Sequence, residues 1–427
     1  MLATAFRLHY NCGVNVVLLE PSFPVNQQQF ARALAESGAS VIGIGERSKH
    51  DLDDDLKGWL THYEQVDSIV ADHSVERAVR VVQDLAWVDR LEATVEAHVM
   101  TAARVREATG IPGTSVRTAH LCRDKPEMKE VLRAAGIPCA RSIGATSADE
   151  VRAFAAEVGY PVILKPPDGA GASGTHRADG DTDLERIIAS SALGHGRVVA
   201  VEEFIDGHEG FYDTITVDGR VMHDFVSHYY PNVLEAMRTR WISPQFIATN
   251  RIDSAPAYAE VRDMGSRVIE ALEIGTSATH MEWFSGTKGL TFSEIGCRPP
   301  GVRAWDLYGA GNDLDLYREW AEAIVRGGRT GTASRRFSAG IVALRPEGDG
   351  TISGYSGLDD IQHRFGELII DVHLPSPGTA TQGVEAGYMA NAWVRVRHDD
   401  FDHLRYVLDE IGRTVTVHVG STSEVAR

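Results

Sequence analysis

A pair of glutamates on two adjacent apolar segments places the strongest constraint on how this chain folds. The segment THMEWFSGTKGLTFSEIG, from Thr279 to Gly296, has two short apolar runs around a glycine-containing turn and so predicts a β-hairpin. A turn centred near Thr287 places Glu282 and Glu294 on one face as diagonal neighbours, about 7 Å apart. Two unpaired carboxylates on an apolar face are costly unless a cation lies between them. The expected ion is Mg²⁺, which proteins bind through one or two carboxylates and share with substrate phosphates.

A glycine-rich segment follows directly after a lysine earlier in the chain. Lys165 ends the apolar run VILK, and three glycines lie in the loop from Asp168 to Gly174. Because glycine adopts backbone conformations closed to other residues, this loop can fold over a ligand with its N–H groups facing phosphate oxygens. The order of lysine and glycines differs from the common phosphate loop, and no helix opens at the last glycine as the dinucleotide fingerprint requires. The residues expected at the centre of the loop are Gly171, Ala172 and Ser173.

Three further features fit a bound nucleotide. Lys125 begins a predicted helix, where the helix dipole disfavours a lysine unless a polyphosphate lies nearby. The apolar strand VVAVEEF ends at Glu202–Glu203, whose carboxylates can hold an adenine amino group while the backbone of Phe204 or Ile205 contacts the ring edge. Glu209, seven residues past Glu202, can accept hydrogen bonds from ribose hydroxyls. Each feature taken alone also fits an ordinary solvent-exposed residue.

Composition excludes several classes of partner. The net charge of −18 argues against nucleic acid or an anionic membrane as the main partner. Four cysteines without metal-like spacing predict reduced thiols in the cytosol. The apolar stretches are shorter than a membrane span, and the first twenty residues do not have the pattern of a signal peptide. We therefore expect a cytoplasmic protein without nucleic-acid or membrane partners.

Strand and helix patterns alternate through the first hundred residues. Apolar runs predict strands over 14–19, 39–44 and 67–72, and amphipathic spacing predicts helices over 27–36 and 91–109. This alternation is typical of a parallel sheet covered by helices. Beyond it, the sequence predicts a helix over 124–135, a tight hairpin at Asp218–Gly219 and a final helix over 400–410.

The ordered set of two lysines, a glycine loop, strand-end acids and a hairpin with paired carboxylates resembles the ATP-grasp superfamily. Within it, the segment EIGCRPPG and the small C-terminal domain resemble the carboxylate–amine ligases of the amino-acid ligase-like branch. The resemblance covers nearly the whole chain and implies an α/β and α+β fold, with an N-terminal parallel-sheet domain over 1–115 and a small β-rich C-terminal domain over 334–427. It places the ATP-grasp domain over 116–333, with a small lid subdomain over 116–200 and a larger, metal-bearing subdomain over 201–333.

The resemblance also implies an activity and a set of residue roles. ATP activates a carboxylate as an acyl phosphate, and an amine then displaces the phosphate, leaving ADP and inorganic phosphate. The implied partners are a small-molecule carboxylate, a small-molecule amine and a second copy of the chain. The matched residues are Lys125 and Lys165 for the phosphates, Glu202, Glu203, Phe204 and Ile205 for adenine, Glu209 for ribose, Glu282 and Glu294 for Mg²⁺ or Mn²⁺, and Arg298 with Lys165 for catalysis.

One departure and two alternatives stay open. Gly296 stands where many members of the superfamily have asparagine, which leaves open whether one or two metal ions bind. A biotin-carboxylase-like enzyme has the same core, although this chain has no biotin attachment sequence of the AMKM type. The third hypothesis is a nucleotide-binding regulatory protein without turnover, against which the complete set of lysines and glutamates argues.

Overall fold

The computed structural model describes residues 13–166, 174–191, 193, 197–384 and 391–420. These residues form a four-stranded parallel sheet, a four-stranded antiparallel sheet, an eight-stranded sheet and a two-stranded ribbon. The strands are β1 Asn15–Leu19, β2 Ser40–Gly45, β3 His62–Gln65, β4 Arg90–Glu92, β5 Ser142–Ala145, β6 Val162–Lys165, β7 His176–Ala178, β8 Val199–Glu203, β9 Gly207–Val217, β10 Arg220–Tyr230, β11 Gln245–Ala248, β12 Ser277–Gly286, β13 Gly289–Gly296, β14 Ser338–Leu344, β15 Thr351–Ser356, β16 Ile369–His373, β17 Ala392–His398 and β18 Thr416–Gly420.

Helices cover the sheets and connect most of the strands. They are α1 Gln28–Glu36, α2 Asp54–Trp59, α3 Asp72–Leu85, α4 Val99–Thr109, α5 Val116–Leu121, α6 Lys125–Ala134, α7 Ala148–Val158, α8 Asp181–Ser190, α9 Val233–Ala236, α10 Ala257–Ala271, α11 Ala304–Asn312, α12 Leu316–Arg326, α13 Leu358–Phe365 and α14 Phe401–Thr414. In the part of the chain that the structure describes, no helix is both long enough and apolar enough to cross a membrane.

The parallel sheet has the order β3-β2-β1-β4, and β1 is buried along its whole length. The prediction of a third strand over 67–72 is wrong, because β3 lies at His62–Gln65 and the later segment is a turn. In that turn the Ile69 amide donates to the Glu46 carboxylate, while the apolar Ile69 side chain packs into the core. The helix predicted over 91–109 begins only at Val99, since residues 90–92 pair with β1 as β4.

The antiparallel sheet has the order β5-β8-β6-β7, with α7 and α8 packed on one of its faces. Lys165 ends β6, as the apolar run predicts. Helix α6 begins at Lys125, and the side chain of Asp124 caps it by accepting from the Glu127 amide at 3.0 Å. Helix caps of this kind satisfy amides that have no partner within the helix.

The eight-stranded sheet has the order β13-β12-β9-β10-β11-β14-β17-β16. The predicted hairpin at Asp218–Gly219 joins β9 to β10, with φ of 48° and 77° at its two turn residues. The three strands β14, β17 and β16 come from the predicted C-terminal domain and continue the same sheet, while α14 packs against them. The domain boundaries at 115/116 and 333/334 stay predictions.

Candidate active site

A cavity of about 630 Å³ lies between the antiparallel sheet and one end of the eight-stranded sheet. The antiparallel sheet contributes Ile163 and Lys165 to its wall, and the β12–β13 hairpin contributes Glu282, Phe292 and Glu294. Apolar and charged side chains therefore face each other across the same space. Concave sites of this size, lined mostly by apolar groups with a few convergent polar ones, are where small molecules bind.

Three lysines, of which Lys125 and Lys129 are buried, and two carboxylates meet inside this cavity. The Nζ of Lys129 lies 2.7 Å from one oxygen of Glu202, and the Nζ of Lys165 lies 2.9 Å from the other. Lys125 approaches Glu294 to 3.3 Å, and Lys165 also lies 4.0 Å from the same Glu294 oxygen. We name these five residues the lysine cluster.

Burial and ion pairing act in opposite directions on the lysine cluster. Burial lowers the pKa of Lys129 to about 8, because the loss of hydration outweighs its attraction to Glu202. Burial alone would raise the pKa of Glu202, but Lys129 and Lys165 lower it to about 2. Lys165 is also buried, yet Glu202 and Glu294 together raise its pKa. The ammonium groups of the cluster therefore remain charged although they have lost much of their hydration. An anionic ligand would offset the free-energy cost of that lost hydration.

The two hairpin glutamates face each other directly. Glu282 pairs with Glu294 in the register of β12 and β13, whereas the sequence predicts diagonal neighbours. The prediction is wrong because a β-bulge shifts the register between Glu282 and Trp283, so that Trp283 pairs with Phe292 and Ser293 is left over. Directly opposed residues have Cβ atoms about 4.5–5.5 Å apart, closer than the predicted diagonal distance.

Glu209 adds a third carboxylate to this end of the cavity. It lies on β9, next to β12, and is 5% exposed. One of its oxygens accepts from the Val233 amide at 2.7 Å. Burial, followed by repulsion from Glu282, raises the pKa of Glu209 to about 8. Carboxylate oxygens are the ligands that Mg²⁺ prefers, so this donor set suits a divalent cation.

A histidine–aspartate pair lies beneath the hairpin carboxylates. His280 Nδ1 is 2.6 Å from Asp213, and Tyr308 donates its hydroxyl hydrogen bond to the other Asp213 oxygen. Burial alone would lower the pKa of His280, but Asp213 raises it to about 9. The second ring nitrogen lies 3.7 Å from Glu282. The imidazole is therefore held in one orientation next to the carboxylates.

Arg298 follows β13 and reaches the N-terminal part of the chain. Its Nε donates to Glu96 at 2.8 Å, and its Nη1 donates to the Pro299 carbonyl at 2.8 Å. Glu96 also accepts from Arg123 at 3.0 Å. Within the described ranges, the Nη2 of Arg298 has no hydrogen-bond partner. One edge of this guanidinium thus remains available to an anion.

Comparison with known proteins agrees with this geometry. Residues 124–218 match the family described as "Carbamoyl-phosphate synthase L chain, ATP binding domain". The computed structure resembles the crystal structure of an L-amino acid ligase from Bacillus licheniformis, with a TM-score of 0.74 and 16% identity over 96% of this chain and all of that one. It also resembles N5-carboxyaminoimidazole ribonucleotide synthetase from Thermotoga maritima, with a TM-score of 0.68 and 16% identity over 95% of this chain and all of that one. Residues 124–218 therefore match an ATP-binding family, and the whole chain shares the fold of these two enzymes. The predicted fold class is confirmed.

Two curated relatives of this chain come from Bacillus subtilis. The "L-arginine-specific L-amino acid ligase" is 28% identical over 57% of this chain and 59% of its own length. The "Alanine–anticapsin ligase" of strain 168 is 26% identical over 54% of each chain. The chain thus spans less than two thirds of the length of these relatives.

The predicted adenine-binding residues occupy different parts of the cavity. Phe204 and Ile205 line it, and the Arg177 guanidinium lies 4.3 Å from the centre of the Phe204 ring. Glu203 also lines it, and its carboxylate lies 3.5 Å from Lys288 in the hairpin turn. The side chain of Glu202 faces the lysines. The predicted loop residues Gly171, Ala172 and Ser173 lie outside the described residues.

Lys129 is the residue of this cluster that the sequence interpretation missed. It lies four positions after Lys125 in α6, and residues four apart share a helix face. A search one helical turn beyond Lys125, on the same face of the predicted helix, would have identified Lys129. Glu96, the partner of Arg298, was also missed, and no local pattern in the sequence indicates it because the two residues are 202 positions apart.

Proposed function

We propose that this protein is an ATP-dependent ligase that activates a carboxylate as an acyl phosphate and joins it to an amine, releasing ADP and phosphate. The observation that carries the proposal is the meeting of three lysines with the carboxylates of Glu209, Glu282 and Glu294 in one cavity. Lysines suit the phosphates of a nucleotide, and the carboxylates suit a cation that accompanies it. The superfamily and the names of the relatives support the same activity.

We assign ATP a single orientation in the cavity. We assign the phosphates to Lys125 and Lys165, and the adenine to the stretch Glu203–Ile205 at the other wall. Glu202 holds Lys165 through one carboxylate oxygen, and Lys129 pairs with the other oxygen of Glu202. Glu209 keeps one oxygen for the Val233 amide, and we assign the other to the ribose hydroxyls.

Glu282 and Glu294 fit Mg²⁺, which when bound neutralises charge on the phosphoryl group during transfer. Lys125 and Lys165 hold the γ-phosphoryl group in line with the substrate. An oxygen of the substrate carboxylate attacks the γ-phosphorus of ATP. The bond between the γ-phosphorus and the oxygen that bridges it to the β-phosphate breaks, and ADP leaves. The amine nitrogen then attacks the acyl carbon, the bond to the phosphate oxygen breaks, and the nitrogen loses a proton. Exclusion of water from the cavity protects the acyl phosphate from hydrolysis.

Arg298 is the residue we assign to the substrate carboxylate. Its Nη2 edge is without a partner among the described residues, and a guanidinium binds a carboxylate through parallel hydrogen bonds. The adjacent Glu96 carries the opposite charge. The pair therefore offers complementary charges to the carboxylate and the ammonium group of an amino acid, which supports amino acids as substrates.

The experiment is a matrix of acids and amines scored for phosphate release, with nucleotide products separated by chromatography. The proposal predicts ADP and phosphate in equal amounts, dependent on both an acid and an amine. Bicarbonate as the acid tests a carboxylase, and phosphate release with bicarbonate alone would replace the ligase proposal. Stoichiometric AMP and pyrophosphate would overturn the acyl-phosphate mechanism even if ligation occurred.

We further propose that the protein is cytoplasmic and forms a homodimer. The reduced-thiol pattern of its four cysteines supports the location, and the resemblance to the superfamily supports the dimer. Light scattering coupled to size-exclusion chromatography measures the assembly directly. A monomer mass of 46.5 kDa at micromolar concentration would contradict the dimer.

A further inference from the structure

Asn232 lies on the cavity wall and has no role in the proposed mechanism. It follows β10, which pairs with β9 over most of its length. The ladder between these strands ends where Gly210 pairs with His228, whereas β9 begins three residues earlier, at Gly207. Beyond that last pair, the β10 side of β9 needs other partners for its backbone groups, since amides and carbonyls shielded from water are costly when unpaired.

The carboxamide of Asn232 takes the place of the strand there. Its oxygen accepts from the Glu209 amide at 3.0 Å, and its nitrogen donates to the Gly207 carbonyl at 2.7 Å. A carboxamide carries an acceptor and a donor, as a peptide unit does, so one side chain satisfies both backbone groups. The two contacts also fix the orientation of the carboxamide, because only its oxygen can accept from an amide. Asn232 therefore holds the backbone on both sides of His208.

This use of Asn232 departs from the usual chemistry of a helix start. Asn232 occupies the N-cap position of α9, where an asparagine side chain ordinarily accepts from an amide of the first helical turn. Here the side chain forms no such cap bond. The Val233 amide, at the start of the helix, donates to the Glu209 carboxylate at 2.7 Å. Departures from a local rule are expected where function sets the conformation.

Glu209 is thus held at two points. Asn232 fixes its backbone, and Val233 binds one of its carboxylate oxygens. Because Glu209 is also only 5% exposed, these contacts set the direction of its second oxygen. Hydrogen bonds weaken steeply when their angle becomes unfavourable. A carboxylate held in this way distinguishes a sugar that presents a hydroxyl at the right point from one that does not.

We propose that Asn232 is a positioning residue that makes the nucleotide site selective for ribose over deoxyribose. It acts through Glu209, whose second oxygen accepts from a ribose hydroxyl. The inference rests on the proposed function for the place of the nucleotide and for the ribose assignment of Glu209. It adds the residue that gives this contact its selectivity.

Isothermal titration of the full chain with Mg²⁺ and ADP, 2′-deoxy-ADP or 3′-deoxy-ADP tests the inference without turnover. In the wild-type protein, the analogue that lacks the contacted hydroxyl should have a Kd about tenfold to a hundredfold above that of ADP, the scale of one hydrogen bond to a charged group. Asn232→Ala should lower this ratio of Kd values about threefold to tenfold, because it weakens ADP more than the analogue. A purely structural role would raise all three Kd values by the same factor and leave the ratio unchanged.

Two further variants sharpen the test. Asn232→Asp keeps the acceptor for the Glu209 amide and loses the donor to Gly207, so its ratio should lie between those of the wild type and Asn232→Ala. Its added charge acts on the phosphates of all three nucleotides alike and cancels in the ratio. Asn250→Ala is the matched control, since the Asn250 carboxamide also donates to a backbone carbonyl, that of Asp399 at 2.8 Å, but does not line the cavity. This control should keep the wild-type ratio, and thermal unfolding checks that each variant is folded.

The outcomes separate this inference from the proposed function. A lower ratio in folded Asn232→Ala supports the positioning role, even if no acid and amine together drive ADP formation and the ligase proposal fails. An unchanged ratio in folded Asn232→Ala overturns the role whether or not ligation occurs, and the ratio of Asn232→Asp decides in the same way if the alanine variant does not fold. A wild-type protein that binds ADP and both analogues equally, or that binds none of them, would also overturn it.

Discussion

Replacing Glu202 by glutamine tests the logic of the lysine cluster. The carboxylate lies 2.7 Å from Lys129 and 2.9 Å from Lys165, and it is 5% exposed. Glutamine keeps the shape and removes the charge, which leaves two buried ammonium groups side by side. Removing one partner of a buried ion pair costs about 3–5 kcal/mol, because the remaining charge is uncompensated.

The expected loss converts to a shift in melting temperature. Unfolding entropy near 2.1 cal/mol/K per residue gives about 0.9 kcal/mol/K for 427 residues, so the loss corresponds to about 3–6 °C. Nucleotide should reverse much of this loss, since phosphate oxygens would supply negative charge to the same lysines. We therefore expect Mg²⁺ and ATP to raise the melting temperature of Glu202→Gln by several degrees more than that of the wild-type protein.

Differential scanning fluorimetry with and without Mg²⁺ and ATP measures both effects. In the measurement without nucleotide, the matched control is Glu203→Gln, because Glu203 is the next residue in β8 but lies 3.5 Å from the exposed Lys288. An exposed pair contributes at most about 1 kcal/mol, so this control should shift the melting temperature by about 1 °C or less. A Glu202→Gln variant that melts with the wild type, or one that gains no more from nucleotide, would refute the reasoning.

Three further predictions concern the proposed chemistry and the pH dependence of stability. Glu294→Gln should abolish turnover while the protein stays folded, and near-normal rates at limiting Mg²⁺ would show that the hairpin face does not bind the metal. Arg298→Lys keeps the charge but loses the planar fork, so ligation should fall about tenfold to a thousandfold with little change in ATP affinity, and wild-type ligation kinetics would contradict the assignment. The pKa of Glu202 is about 2, below the ordinary value of 4.5, so its ion pairs stabilise the fold above pH 4.5. This stabilisation should disappear as the pH falls towards 2, and urea titrations should show a smaller acid loss for Glu202→Gln than for the wild type.

Local patterns in the sequence predicted most of the elements around the cavity. Lys165 was placed at a strand end because an apolar run stops there, and the hairpin followed from two apolar runs around a turn. The register of that hairpin was not predictable, because the bulge at Ser293 depends on packing between strands. The third strand was misplaced because its residues HYEQ are mostly polar, while the apolar segment after it packs inward from a turn.

Contacts between distant segments account for the rest of what the sequence did not reveal. The pairing of Lys129 with Glu202 joins a helix to a strand, and the pairing of Arg298 with Glu96 joins the end of the hairpin to the segment after β4. Neither pair has a local signature, since each depends on how the sheets are arranged. The role of Glu202 at the adenine stays a prediction, and its pairing with Lys129 and Lys165 is a contact that the position of Glu202 on its strand does not indicate.

The charged groups of this cavity are complementary to a ligand that brings both negative and positive charge. The lysines come from α6 and β6, and the carboxylates come from β8, β9 and the hairpin. Lys125 and Lys165 now share Glu294, while Glu282 faces Glu294 and Glu209 with no lysine within ion-pair distance among the described residues. A nucleotide with a divalent cation would give phosphate oxygens to the lysines and a positive charge to the carboxylates at the same time. Binding should therefore exchange the direct contacts between lysine and glutamate for contacts through the ligand, and that exchange is the physical reason to expect ATP and metal to bind together.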